Sequence, residues 1–209
     1  MRKLLVISGF SGVGKGTVIR RLMEMESEIR LSISETDREK RNDDDRYVFV
    51  SPKQFQENLK SGHYIEYNCY GTHYYGTPRQ PVLEYMDRNP DGRMILEIDV
   101  HGVRMVGQDI DLKRLYTDII TVFIAAEAET LLERLKGRGD SLETIRKRLE
   151  IAADEARNVK EYEYILLNRN VESTAARLFD ILADKTVRSD SFDEDKFCSD
   201  ISAILQTLQ

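Results

Sequence analysis

The chain is short of what several protein classes require. It has two cysteines, Cys69 and Cys198, far apart and outside any metal-ligand spacing. That excludes a cysteine metal site and fits a reduced, cytoplasmic protein. No stretch approaches the roughly 20 apolar residues of a membrane span. The apolar run in MRKLLVISGF is too short for the core of a signal peptide, and glycines follow it at once. Basic residues are outnumbered, 31 Lys and Arg against 37 Asp and Glu, for a net charge of −6. This argues against a general affinity for nucleic acid polymers or anionic membranes. It leaves room for one nucleotide in a local basic pocket. None of the three histidines has a clear catalytic partner, and no internal repeat is visible.

What remains is 209 residues, 41% of them apolar and 33% charged, enough for one substantial core in a soluble globular protein. Lys3 to Ser8 has the short continuous apolar run of a buried strand. Lys15 to about Glu26 is helical in pattern, with Val18, Ile19, Leu22 and Met23 on one side. Further strands are expected at Leu31–Ile33, Tyr47–Val50, Tyr64–Asn68, His73–Tyr75, Arg93–Asp99, Ile119–Ile124 and Tyr164–Leu167. Helices are expected from Ser51-Pro52 to Lys60, over Pro78–Arg88 and Glu127–Lys136, from about Ser141 to Glu161, and over Val171–Lys185. SETDREKRNDDDR is too polar for a core. Strands separated by helices imply right-handed crossovers and a parallel sheet with helices on both faces. The short strands between about 34 and 84 break that rhythm and predict an inserted subdomain. From 186 to 209 an acidic linker precedes a helix with Phe197, Ile201, Ile204, Leu205 and Leu208 on one face. That helix either docks on its own core or serves as an oligomer contact.

The strongest chemical signal is GFSGVGKGT, residues 9 to 17, between the first strand and the first helix. Glycines let the backbone turn its N–H groups inward, and a helix N-terminus adds free donors and a positive dipole end. Lys15 supplies a full charge. The segment fits G-x-x-x-x-G-K-[ST] except that Gly16 replaces the hydroxyl residue and Thr17 follows one place later. A metal is therefore held through Thr17, through water or mainly by the phosphates.

The stretches ISGFSGVGKGT, SISETDREKR, YVFVSPKQF, YIEYNCYGTHYYGT, ILEIDVHG, RLKGRGD, RKRL and EYEYILLN, in that order, resemble the guanylate kinase family over roughly residues 3 to 185. The resemblance implies an α/β fold: a P-loop parallel-sheet core, a nucleoside-monophosphate-binding insertion at about 34–84 and a short lid at about 136–148. It implies transfer of a phosphoryl group from ATP, with Mg2+, to GMP and dGMP. Lys15, Arg38, Arg138 and Arg148 would be catalytic. Gly9, Ser11, Gly12, Val13, Gly14, Lys15, Gly16, Thr17, Arg134 and Asn168 would hold ATP. Ser34, Arg38, Arg41, Tyr47, Glu66, Tyr75, Thr77 and Asp99 would hold GMP. Thr17 and Glu97 would reach Mg2+, mostly through water. A monomer or a homodimer would serve.

The residue types suit those roles. Two arginines three apart match the near-double charge of a phosphate monoester. A carboxylate at Glu66 accepts from the adjacent ring N–H and amino group of guanine, whereas adenine presents an acceptor there. Glu97 and Asp99 end a strand, where parallel sheets bind ligands, and an acidic pair there can orient the waters of Mg2+. Several residues depart from the family pattern. Phe10 stands where proline is usual, Glu97 where aspartate is usual, and His101 where glutamine is usual. Asp37 stands where threonine is usual, immediately before Arg38, and could pair with an arginine and weaken phosphate binding. NDDD replaces the customary loop after Arg41. Two other readings stay open: a P-loop kinase with another monophosphate acceptor, and a non-catalytic module that senses nucleotides or binds proteins.

Overall fold

A computed structural model of the chain describes residues 2–40, 46–115 and 118–208. β1 (Lys3–Gly9) is buried along its whole length, as a strand covered on both faces must be. A loop leads from it into α1 (Lys15–Met25), which buries Val18, Ile19 and Leu22. β2 (Ile29–Leu31), β3 (Ser34–Thr36), β4 (Tyr47–Phe49), α2 (Pro52–Lys60), β5 (Tyr64–Tyr70), β6 (His73–Pro78) and α3 (Arg79–Arg88) follow. Next come β7 (Arg93–Glu97), α4 (Val100–Gln108), α5 (Ile110–Leu115), β8 (Asp118–Ala125), α6 (Ala128–Gly137) and α7 (Leu142–Ala156). A 3-10 turn at Val159–Glu161, β9 (Tyr164–Leu167), α8 (Val171–Leu182) and α9 (Glu194–Thr207) complete the described chain.

The fold is α/β. A five-stranded parallel sheet has the order β2-β7-β1-β8-β9, with helices around it. β1 is central; the chain passes from it to the edge at β2, returns inward to β7, and then continues on the other side through β8 to β9. Parallel sheets of this kind bind ligands at the carboxyl ends of their strands. A second sheet of order β4-β3-β6-β5 lies inside the stretch expected to be inserted. The chain gathers into two compact units. One comprises Met1–Val6 and Glu28–Ile120, the other Ile7–Ser27 and Thr121–Gln209. In the first, Ile65, Val82, Met86, Met94, Leu96, Ile98, Val106 and Leu112 form a core with Leu4 and Val6. In the second, α1 packs on α8, and α9 packs on α6 and α7.

Local sequence explains the helix starts. Ser51 accepts from the Gln54 N–H with Pro52 at the first helical position of α2, and Ser141 accepts from the Thr144 N–H at α7. Four expectations need correction. The polar segment at 34–37 contributes β3, and Thr36 is wholly buried, because its hydroxyl donates to the Tyr74 carbonyl at 2.8 Å. The helix expected from about Ser141 to Glu161 stops at Ala156, before a separate 3-10 turn, and Asp99, expected to end a strand, caps α4 through the Gly102 N–H. The strand expected at 31–33 lies two residues earlier, as β2. The acidic linker is also more ordered than its composition implies. Asp190 N–H donates to the Ile165 carbonyl, the Ser189 hydroxyl accepts from Ile165 N–H, and the Asp190 carboxylate accepts from Leu167 N–H. These bonds cover the open edge of β9. Arg177 on α8 holds the same carboxylate at 2.6 Å.

Candidate active site

The phosphate loop belongs to the second unit. Its shape depends on glycine at two points. A Cβ on Gly9 would fall inside contact distance of the Ile124 carbonyl oxygen, so the strand end and β8 close only around a hydrogen. Gly14 precedes α1 with φ 95°, a left-handed conformation that L side chains resist. The Val13 N–H donates to the Phe10 carbonyl at 3.1 Å and closes the turn. The Thr17 and Val18 N–H groups donate to the Gly14 carbonyl at 3.1 Å, and the N–H groups before them have no acceptor within their own helix, the arrangement that helix N-termini offer to anions. The Lys15 ammonium folds back onto the carbonyls of Gly9 and Phe10, the latter at 3.3 Å.

Three of the expected donor-side residues converge on this loop. Arg134 donates to the Val13 carbonyl at 2.7 Å and to the Asn168 carbonyl at 2.6 Å, and burial lowers its pKa from the ordinary arginine value. The buried Asn168 amide donates to the same Val13 carbonyl at 2.8 Å, while its oxygen accepts from Thr174 at 3.2 Å. Arg148 donates to the Ser11 hydroxyl at 3.1 Å and lies 3.5 Å from Asp140. Arg138 closes α6 as an exposed residue. Arg146, in the same basic run, turns instead to the Leu205 and Leu208 carbonyls at the end of α9. Gly16 and Thr17 are exposed on the first turn of α1.

The acceptor-side residues belong to the first unit, and strand register assembles them. β5 and β6 pair antiparallel with Glu66 opposite Thr77. The Thr77 hydroxyl donates to Glu66 Oε1 at 2.5 Å, and Ser34 Oγ lies 3.4 Å from Thr77 Oγ1. Glu66 is 5% exposed. Burial raises its carboxyl pKa to about 7; the Thr77 hydrogen bond opposes the rise and the Asp99 charge adds to it. A Cβ on Gly102 would lie 2.7 Å from Glu66 Oε2, so the first turn of α4 approaches the carboxyl only through glycine.

Asp99 is held on both oxygens: Oδ1 accepts from Gly102 N–H at 2.8 Å, and Oδ2 accepts from Tyr70 at 2.8 Å and from Asn68. Nothing in the sequence pattern pointed to Asn68 or Tyr70, because their role arises only when β5 meets the end of β7. Arg38, Tyr47 and Tyr75 also come together. The guanidinium lies 5.2 Å from the Tyr47 ring centre, and the Tyr47 and Tyr75 rings meet edge to face at 5.5 Å. Burial raises the Tyr47 pKa, and the Glu97 charge raises it further. Asp37 does not engage Arg38. Its carboxylate accepts the Tyr74 N–H at 2.8 Å and sits 3.4 Å from His73. Arg41 and the NDDD stretch lie outside the described residues.

A glycine loop opening a helix at the end of a central parallel strand, a lysine within it, and a separate buried carboxyl fit the class of P-loop nucleoside monophosphate kinases. The family model for guanylate kinase matches residues 1–185. The chain is similar to the guanylate kinase of Carboxydothermus hydrogenoformans, 38% identical over 185 residues that cover 86% of each chain. It is equally similar to that of Lactococcus lactis subsp. lactis, 38% identical over 192 residues and 90% of each. The crystal structure of guanylate kinase from Anaplasma phagocytophilum superposes with a TM-score of 0.66 at 26% identity, covering 86% of this chain and 84% of that one. The chain belongs to the guanylate kinase family. It is a transferase whose reaction is the ATP-dependent phosphorylation of GMP.

Proposed function

We propose that the two units divide this reaction between them. The unit carrying residues 9–17 takes Mg-ATP, and the unit carrying Glu66 takes GMP and also dGMP. A GMP phosphate oxygen attacks the γ-phosphorus of ATP in line. The bond from that phosphorus to the bridging oxygen breaks, and ADP and GDP result. The attacking phosphate is already nucleophilic, so positioning and charge neutralisation carry the catalysis.

The observation that carries the reading is the Ser34–Thr77–Glu66 chain, in which Thr77 and Glu66 are buried. A carboxyl kept from water costs stability unless it meets matching donors, and guanine's ring N–H and amino group provide two side by side. In this reading Asp99 lies beside the same base, and Arg38, Arg41, Tyr47 and Tyr75 hold the GMP phosphate. The loop amides from Gly9 to Thr17 and Lys15 hold the ATP phosphates, with Ser11 and Val13 at the turn. Arg138 and Arg148 engage the transferring group. Arg134 and Asn168 shape the loop beside the adenine. Residues 136–148, which include Gly139 at φ 74°, form the lid.

Among the described residues no cluster of three or more His, Cys, Asp or Glu is arranged to hold a metal. The oxygen donors that are present, the Thr17 hydroxyl and the Glu97 carboxylate, are both exposed and suit a hard cation that keeps most of its waters. Bound with ATP, Mg2+ would neutralise charge on the transferring phosphates. The thiols of Cys69 and Cys198 are unpaired, as suits a reducing cytoplasm. Neither a second subunit nor its absence is required by this assignment. A different acceptor or a non-catalytic module is not favoured, because the family model and the relatives that match are those of guanylate kinases.

The test is ADP release from Mg-ATP with GMP, dGMP, IMP, AMP, CMP and UMP as separate acceptors. The expected result is strongest turnover with GMP, dGMP next, and none with AMP. Lys15→Ala is expected to lower turnover by about 100- to 1000-fold, as the loss of a transition-state charge contact does. Strongest turnover with another acceptor would move the specificity, and no turnover from folded, ATP-binding protein would sink the reading.

A further inference from the structure

Phe10 lies in the phosphate loop with its ring turned into the protein. It is wholly buried among aromatic rings. Phe197 of α9 stacks on it face to face, with ring centres 4.5 Å apart and planes 7° from parallel. Phe123 of β8 meets it edge-on at 5.0 Å, and Phe192, just before α9, lies at 5.8 Å. Phe192 and Phe197 touch each other at 5.3 Å. The backbone of Phe10 is the pivot of the loop. Its carbonyl closes the turn through Val13 N–H and shares the Lys15 ammonium with Gly9. An aromatic ring held on three sides fixes its own backbone, so the position of Phe197 is transmitted to the turn and to the lysine.

α9 lies beyond residue 185, where the family match ends. It is anchored independently at both ends. Asp193 caps its first turn, and Arg146 of α7 caps its last through the Leu205 and Leu208 carbonyls. It packs on α6 and α7, which carry Arg134 and Arg148. Phe197 and Ile201 are buried. The helix therefore touches the loop and both arginine-bearing helices of the second unit.

We propose that Phe197, acting through Phe10, is a positioning residue for the ATP site, and that α9 is a brace that sets the geometry of the phosphate loop. This rests on the assignment of residues 9–17 to ATP. The guanine-reading residues belong to the other unit and do not depend on the brace.

The experiment compares wild type, Phe197→Leu, Phe197→Ala, Phe192→Ala and Lys15→Ala. It measures KM for ATP and for GMP separately, the melting temperature, and hydrogen exchange at Val13 N–H. KM for ATP should rise about tenfold in Phe197→Ala and about threefold in Phe192→Ala, in line with the size of aromatic pair contributions. Phe197→Leu, which keeps apolar volume over Phe10, should recover most of the loss. KM for GMP should stay within about twofold of wild type, and Val13 exchange should quicken. If Phe197→Ala does not fold, Phe192→Ala, whose ring is half-buried, decides by the same criteria. Folded variants whose KM for ATP is unchanged, or whose two KM values rise together, would overturn the brace. If Lys15→Ala suppresses turnover while the aromatic variants do not, the brace fails and the ATP assignment survives. If Lys15→Ala has no effect, the ATP assignment fails and the brace with it.

Discussion

The two units of the chain prepare for a nucleotide in opposite ways. The unit with the phosphate loop rests its cations on its own oxygens. Lys15 lies on Gly9 and Phe10, Arg134 on Val13 and Asn168, and Arg148 on Ser11. These contacts are to neutral acceptors, with Asp140 as a further, charged partner of Arg148, and an anion displaces a neutral acceptor at modest cost. The unit with Glu66 instead buries a carboxyl whose ordinary pKa of 4.5 has risen to about 7. One unit is made of backbone geometry and satisfied cations, the other of a polar group kept from water. The first should fail through backbone changes, the second through changes of charge.

The largest effect is expected where backbone geometry admits no side chain. A methyl at Gly9 meets a backbone oxygen of Ile124, which cannot rotate away. Gly9→Ala should cost about 3 kcal/mol or more, the upper range of overpacking, and lower Tm by about 6–12 °C. Gly16 is the control within the same loop, because a Cβ there meets nothing within 4 Å. Gly16→Ala should leave Tm unchanged or raise it by a degree or two, since alanine is the better helix residue by about 0.5–1 kcal/mol. Thermal melts of both variants check the contrast. Equal behaviour would remove the claim that close backbone packing, rather than glycine content, shapes the loop.

Glu66→Gln should move binding and stability in opposite directions. The neutral amide no longer offers guanine a charged two-point acceptor, so KM for GMP should rise about 100-fold, as for loss of a charge-assisted pair. KM for ATP should stay unchanged. At pH 8 the free variant should also be more stable, by about 2 kcal/mol and 4–8 °C, because a buried charge has been removed while Thr77 keeps its acceptor. Steady-state kinetics beside a thermal melt check both signs. A variant that loses GMP binding and stability together would make Glu66 a structural residue.

Legibility differed between the units for the same reason. GFSGVGKGT carries its geometry in consecutive residues, so strand, loop and helix were readable with bounds nearly as observed. The helix starts at Ser51-Pro52 and Ser141 were readable because caps are local. Glu66 and Thr77 are 11 positions apart, and Ser34 is 43 from Thr77. Only the resemblance to a family joined them beforehand, and strand register joins them physically. Asn68 and Tyr70 on Asp99 were invisible, since tyrosine and asparagine in a polar strand carry no periodic signal. Asp37 illustrates the reverse error. Its place beside Arg38 suggested pairing with an arginine, whereas β3 and β6 turn it to the Tyr74 N–H. β3 was hidden because three residues are too few for alternation to show.

Proton linkage gives the mildest test of the contrast, and the sharpest. In the free protein the folded state keeps a proton on Glu66 that the unfolded chain releases between pH 4.5 and about 7. The stabilisation from that proton is complete below pH 4.5 and is lost as pH rises through about 7, so free protein should lose stability across this window. In the proposed assignment GMP reverses the preference, because guanine's donors require the carboxylate. Binding must therefore expel the proton below pH 7. KM for GMP should be flat above about pH 7 and rise by up to tenfold per unit below it, with protons released into solution on binding. The phosphate of GMP itself titrates near pH 6, at about its usual second pKa. Glu66→Gln separates the two contributions, because only the phosphate slope should remain in that variant. KM for ATP should not follow the Glu66 curve, since Glu66 belongs to the other unit. A GMP profile identical in wild type and Glu66→Gln would mean that the buried carboxyl does not read the base.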